Sequence, residues 1–338
     1  MTEAYPWAGE RFPWLGGDLQ TLHNWMTRRA PDLGRFPGRR LELPLGDGTG
    51  DRLVGTLNRP LGPSARPLVV LVHGLTGWED SVYIRRSAGH LLSLGFPVLR
   101  LNLRGAGPSR PLCRWHYHAG RSEDLGLMLH ALEGELSGNG VALVGFSLGG
   151  NMLLKFLAES GGAYPIRVAA SVSAPIDLLA CSTRLMRRRN RIYQRWLLTA
   201  MKEESVAPAS ELTQAERRIV GRVRTVYAFD HEFVAPRNGF SGAEDYYHRC
   251  SAQHCLASIK VPTLIIHALN DPWIPGEAYA RVDWGANPAL TPLIVPGGGH
   301  VGFHGRDDRA SWHDRRIGQF FMAERSANIA ASGTSNAA

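Results

Sequence analysis

Val141-Ala142-Leu143-Val144-Gly145-Phe146-Ser147-Leu148-Gly149-Gly150-Asn151-Met152-Leu153-Leu154 joins a short apolar strand to an apolar helix through an abrupt turn that sets a serine between glycines. The pattern predicts a nucleophile elbow, with Ser147 held in a strained backbone conformation so that its hydroxyl stands clear of the sheet. Gly145 and Gly149 are then glycines because a β-carbon there would strike a neighbouring strand or helix. With 38 glycines in 338 residues, G-x-S-x-G alone carries the false-positive risk of any short motif. Its apolar flanks on both sides supply the strength.

Outward from this turn, Pro67-Leu68-Val69-Val70-Leu71-Val72-His73-Gly74 is a continuous apolar run, as a strand buried on both faces of a parallel sheet requires. Ile84, Ala88, Leu91 and Leu92 share one helical face ahead of Gly95, and residues 97–103 read as the next strand. Leu125, Met128, Leu129, Leu132 and Leu136 form one stripe on a helix leading into the Val141 strand. Strand patterns return at 167–173, 261–268 and 291–295, so the chain predicts an α/β fold with a mostly parallel central sheet flanked by helices. Residues 40–44 and 52–58, around a glycine-rich loop, read as a β-hairpin.

Residues 1–40 are rich in Pro, Gly, Trp and Arg and predict an N-terminal arm packed on the core, with 19–26 as its one short helix. The α/β domain is expected over 41–325. Within it, about 176–240 shows helical patterns and no strand, as an inserted helical cap would. Residues 326–338 are small and polar and predict a flexible tail. In the cap, Leu185, Ile192, Tyr193, Trp196, Leu197 and Ala200 take one side of a helix, and Arg184, Arg187, Arg188, Arg191 and Arg195 take the other. That basic face is either a solvated surface or a peripheral contact with an anionic membrane or an acidic lipid headgroup.

A serine hydroxyl needs a base to take its proton, and the base needs an acid to fix its tautomer. On sheets with such an elbow the partners follow in the order Ser, Asp or Glu, His. Asp271 comes directly after the 261–268 strand, and His300 lies in the glycine-rich loop after the last strand, a loop read as flexible enough to return the imidazole to Ser147. Asp230 and His304 are the alternatives for acid and base. The expected oxyanion donors are the backbone N–H groups of Leu148 and Leu75. His73, preceding the donor, reads as structural. His116 and His118 lack supporting ligands at metal-site spacing, and Gly105-Ala106-Gly107 lacks the third glycine and helix start of a dinucleotide loop. No metal and no cofactor are expected.

Composition narrows the function classes. The net charge of +8 is carried almost wholly by arginine, with lysine only at Lys155, Lys202 and Lys260, and no basic-aromatic interleaving marks a nucleic-acid surface. Cys113, Cys181, Cys250 and Cys255 are too few and too irregularly spaced for a disulfide framework and read as free thiols. The sequence has no run of about 18 apolar residues and no secretory leader at its start, so a cytoplasmic location is expected.

The segments His73-Gly74-Leu75-Thr76-Gly77, Gly145-Phe146-Ser147-Leu148-Gly149-Gly150-Asn151 and Gly298-Gly299-His300-Val301-Gly302-Phe303 resemble those of α/β-hydrolases of the YheT-like branch, with plant embryogenesis-associated and mammalian abhydrolase-domain relatives. The likeness runs over about 12–322 and includes Tyr117-His118-Ala119-Gly120 and Ile265-Ile266-His267-Ala268-Leu269-Asn270-Asp271-Pro272. It departs at the arginine-laden segment and at Ala106, where many relatives carry a bulkier residue. The resemblance implies carboxylic-ester hydrolysis, with Ser147, Asp271 and His300 as charge-relay residues and short-chain or lipid esters as substrates. Thioester or phospholipid acyl hydrolysis on the same residues, or a non-catalytic binding protein keeping the fold, are the other readings.

Overall fold

The computed structural model describes residues 6–132, 134–306 and 310–334. Eight strands form one sheet in the order β1-β2-β4-β3-β5-β6-β7-β8. β1 (Gly38–Pro44) and β2 (Arg52–Asn58) pair antiparallel as a hairpin, and β2 pairs antiparallel with β4 (Val98–Asn102). The rest of the sheet is parallel: β3 (Leu68–Val72), β5 (Val141–Phe146), β6 (Ile166–Val172), β7 (Thr263–Ala268) and β8 (Leu290–Val295). Strand order reverses on either side of β3, which opens a crevice at the strands' carboxyl ends.

Both faces of the central strands are dry, which accounts for their unbroken apolar sequence. Val70, Val72 and Leu143 pack with α3 (Glu123–Ala131) and α4 (Leu148–Glu159), while Val69, Leu71 and Val144 pack with α2 (Val82–Ser93) and the C-terminal helix. The stripe expected as one helix over 125–136 is interrupted, because Leu132 takes an extended backbone (ψ 134°) that ends α3.

Between β6 and β7 the chain is helical: α5 (Leu178–Leu185), α6 (Arg191–Ser205), α7 (Gln214–Arg222) and α8 (Ala243–Cys250), with short turns between them. The single basic helix expected across 184–200 is two helices. Buried Asn190 divides them, its side-chain amide donating to Arg184 O (3.0 Å) and Pro272 O (2.8 Å). Nor is its apolar side uniformly inward: Leu197 is 1% exposed, whereas Ile192 is 82% and Trp196 48% exposed.

At the amino end, α1 (Gly17–Thr27) and the chain before it lie against the loop after β8, through a bridge between Glu10 and Gly305 and paired bonds between Gln20 and the backbone of His304. The last helix, α9, runs Trp312–Thr334. Its backbone is helical to Thr334, within the tail expected over 326–338, of which residues 335–338 lie outside the described part.

Candidate active site

Ser147 ends β5 and caps α4 with φ 51° and ψ −125°, a left-handed backbone that a non-glycine residue adopts only under constraint. The constraint is packing around the turn. Its N–H donates to Val172 O (2.8 Å), and a Cβ on Gly145 or Gly149 would fall 2.5 Å from Gly149 O or 2.3 Å from His73 O. Among the described residues the N–H of Leu148 bonds no protein group, as expected at the first position of a helix.

His300 Nε2 lies 2.9 Å from Ser147 Oγ, and His300 Nδ1 lies 2.8 Å from Asp271 Oδ2. Asp271 is wholly buried, and its other oxygen accepts the N–H groups of Trp273 (2.8 Å) and Ile274 (3.0 Å). Burial alone would raise this carboxyl, but the charge and hydrogen bond of His300 outweigh it and hold it below the usual carboxylate range. With Nδ1–H given to Asp271, Nε2 is left as the acceptor for the serine proton.

The histidine loop is braced, not loose as its glycines suggested. His300 N–H donates to Thr21 Oγ1 (2.8 Å), Gly299 N–H to Asn270 Oδ1 (2.9 Å) and Gly298 N–H to Glu10 Oε1 (3.1 Å). A Cβ on Gly299 would meet Gly17 O at 2.4 Å. The glycine is there so that α1 can approach, and no sequence signal tied Thr21 or Glu10 to this loop.

The alternatives lie elsewhere. Asp230 accepts from Tyr247 Oη (2.6 Å) in the cavity wall, where burial raises it to about 7 despite that bond. His304 is fully buried with its ring 3.5 Å from that of His23, and burial holds it far below the ordinary histidine value. His73 is also fully buried. Leu103 N–H donates to its Nε2 (3.1 Å), so Nδ1–H donates to Gly74 O (2.8 Å), and burial, more than that bond opposes, lowers it to about 4. Neutral and fixed, His73 anchors the Gly74 peptide.

That peptide runs beside the serine: a Cβ on Gly74 would lie 2.8 Å from Ser147 Cβ and 3.3 Å from its Oγ. The N–H of Leu75, next in the chain, bonds no protein group among the described residues. Above the serine is a narrow, mainly apolar cavity of about 130 Å³, walled by Leu75, Leu178, Leu197, Met201, Phe233 and Trp273. Tyr117 and Glu204, which composition and spacing left without a role, also line it. Among the described residues no three His, Cys, Asp or Glu side chains gather as a metal site would need, and the four cysteines are unpaired.

A family model described as the alpha/beta hydrolase fold matches residues 67–307. The chain is 33% identical over 293 residues to YheT of Escherichia coli (strain K12), covering 85% of this chain and 84% of that protein. It is 29% identical over 242 residues to the phospholipase ABHD3 of Mus musculus, covering 71% of this chain and 59% of that longer protein. It is also 29% identical over 288 residues to the medium-chain fatty acid ethyl ester synthase/esterase 2 of Saccharomyces cerevisiae, covering 75% and 62%. Among solved structures, the Pyrococcus furiosus esterase Pf2001 superposes with a TM-score of 0.59 at 17% identity, over 87% of this chain and 97% of that one, a likeness of fold.

Proposed function

Since the chain belongs to the α/β-hydrolase family, in its YheT-like branch, we propose that it is a serine hydrolase cleaving carboxylic esters through Ser147, His300 and Asp271. The observation that carries this reading is the pair of hydrogen bonds at His300, 2.9 Å to Ser147 Oγ and 2.8 Å to Asp271 Oδ2. Ser147 Oγ attacks the ester carbonyl as its proton passes to His300 Nε2, and the resulting imidazolium is stabilised by the Asp271 carboxylate. The oxyanion is held by the unengaged N–H groups of Leu75 and Leu148, the latter at the positive end of α4. Collapse expels the alcohol with the proton from His300 and leaves an acyl-serine, which water cleaves with His300 again as base.

The apolar cavity favours an acyl chain over a polar substrate, in line with the fatty-acyl and phospholipid names of two relatives. The partner proposed for the cap's outer surface is an anionic bilayer. Supporting this, Met186, Ile192 and Trp196 are exposed beside Arg187, Arg188, Arg191 and Arg195, whose guanidinium groups have no hydrogen bond or ion pair among the described residues. No Asp or Glu occurs from 178 to 202.

The test is labelling with a fluorophosphonate probe, run beside hydrolysis of p-nitrophenyl esters of graded chain length, acyl-CoA and phospholipid. Ser147 should be labelled and Ser147→Ala should not. Folded protein that leaves Ser147 unlabelled and hydrolyses none of these substrates would make the chain a binding protein.

A further inference from the structure

Three of the four backbone N–H groups from Gly74 to Gly77 are already committed. Gly74 donates to Tyr83 Oη (2.9 Å), Thr76 to Tyr117 Oη (2.7 Å) and Gly77 to Gly74 O (3.1 Å), which leaves only Leu75 open. The arrangement turns on Thr76, whose φ is 57°. A β-branched residue keeps that left-handed conformation only where its surroundings hold it.

The hold runs to the cap. An amide can only donate, so Tyr117 Oη accepts from Thr76 and its own proton is left for Glu204 Oε2, 3.1 Å away. Tyr117 is buried, with its ring edge-on to His73 at 5.8 Å. Glu204 belongs to α6, the helix whose inner residues Leu197 and Met201 wall the cavity and whose outer residues Ile192 and Trp196 are exposed. One directional chain of hydrogen bonds therefore joins the cap to the strand-end loop beside the nucleophile.

We propose that Tyr117 and Glu204 are positioning residues for the oxyanion loop: Glu204 orients the Tyr117 hydroxyl, Tyr117 fixes the Thr76 amide, and the Leu75 N–H is thereby kept turned toward the carbonyl on Ser147. The proposal rests on the serine-hydrolase reading and adds to it a dependence of the oxyanion hole on the seating of α6. It also makes that dependence sensitive to pH. Burial raises Glu204 to about 7, against the pull of its Tyr117 bond and of Arg110. Around it stand His116, whose Nε2 is 3.3 Å from Glu204 O and which burial first and Arg110 next lower to about 3, and, in the same cavity wall, Arg237 and Asp230. Neutral His116 leaves the ionisation to Glu204. Its carboxylate is a charge-assisted acceptor for Tyr117, and its acid form is a weaker one.

The experiment compares Tyr117→Phe, Glu204→Leu and Glu204→Gln with the wild type in kcat, KM, pH profile and affinity for a trifluoromethyl ketone, whose adduct on Ser147 carries an oxyanion. Removing an oxyanion donor outright typically costs on the order of 10²–10³ in rate. A donor left in place but loosened should cost less, so Tyr117→Phe and Glu204→Leu are expected to lower kcat roughly 10- to 100-fold. KM should change little, and ketone affinity should fall in parallel with kcat. Glu204→Gln keeps an acceptor for Tyr117, so it should recover most of kcat while losing the part of the kcat–pH profile near 7 that Glu204 contributes, the part due to His300 as base remaining. Variants that match the wild type in kcat and ketone affinity, or that change KM alone, overturn the proposal, and Glu204→Gln keeps the test open should the other two fold poorly. Fluorophosphonate labelling of the wild type separates the failures: an unlabelled wild type sinks the hydrolase reading, and a labelled wild type with indifferent variants sinks only this one.

Discussion

The indole of Trp273 lies across the imidazole of His300, with ring centroids 4.4 Å apart and planes tilted by 33°. Trp273 follows Asp271 by two residues and donates its backbone N–H to the carboxylate that bonds His300, so one short turn supplies that carboxylate and a cover for the imidazole. A cation beside an aromatic face is stabilised by about 0.5–2 kcal/mol. Trp273→Leu should therefore lower kcat roughly 2- to 30-fold, by weakening the imidazolium formed as Ser147 gives up its proton. Steady-state kinetics on a short p-nitrophenyl ester, where the cavity wall matters least, would show it.

Asp271→Asn should preserve the bonds from the N–H groups of Trp273 and Ile274, since an amide oxygen can accept them. It would also turn an NH2 group toward His300 Nδ1 and force the proton onto Nε2, where it cannot accept from serine. The expected loss in kcat is on the order of 10³–10⁴ with a melting temperature near that of the wild type, read by kinetics and calorimetry on the same sample.

Gly74→Ala tests the close approach of the oxyanion loop. The new methyl would sit 2.8 Å from Ser147 Cβ, so loop and serine must move apart by several tenths of an ångström. Misplacing an oxyanion donor carries a cost on the order of 10²–10³ in kcat. An alanine variant with unaltered kcat would show that the Leu75 N–H does not serve the reaction.

Arg191→Glu together with Arg195→Glu should weaken cosedimentation with phosphatidylglycerol-containing vesicles by an order of magnitude or more, at about 1 kcal/mol per basic group near an anionic surface. Wild-type binding should fall as salt is raised, and hydrolysis of a soluble ester should be unchanged, because both side chains are exposed on the outer side of α6. Equal binding to neutral and anionic vesicles would leave the basic face as a solvated surface.

Asp230 predicts a stability effect with a definite sign. Burial raises its folded-state value from 3.8 to about 7, so between those values the folded protein holds a proton that the unfolded chain has lost. Stability from this group is thus greatest at low pH and declines as pH rises through about 7. Asp230→Asn keeps an acceptor for Tyr247 and cannot ionise. Its melting temperature should exceed that of the wild type at pH 8 and approach it at pH 5.

The elements that sequence located well are those in which periodicity and burial coincide. β3 and β5 read as strands because apolar residues fill both of their faces, and the turn at Ser147 reads as an elbow because its glycines sit where three backbones crowd. It erred where a long-range contact overrode a local pattern. The stripe over 184–200 looked like one helix, yet Asn190 parts it to reach Pro272, some eighty residues away in sequence. The glycines around His300 looked like hinges, but Gly299 and Gly302 make room for α1.

From the amino-acid sequence alone came the alternation of strands and helices, the elbow, and the order in which Ser147, Asp271 and His300 occur, because strand burial and turn chemistry are written in neighbouring residues. Tertiary structure alone decided that Thr21 and Glu10 steady the histidine loop, that Trp273 covers the imidazole, and that Glu204 reaches the loop at Thr76 through Tyr117. Those contacts join residues 41 to 288 positions apart or depend on which face a ring presents. A hydrogen bond of about 3 Å leaves no periodic trace in either of the segments it connects.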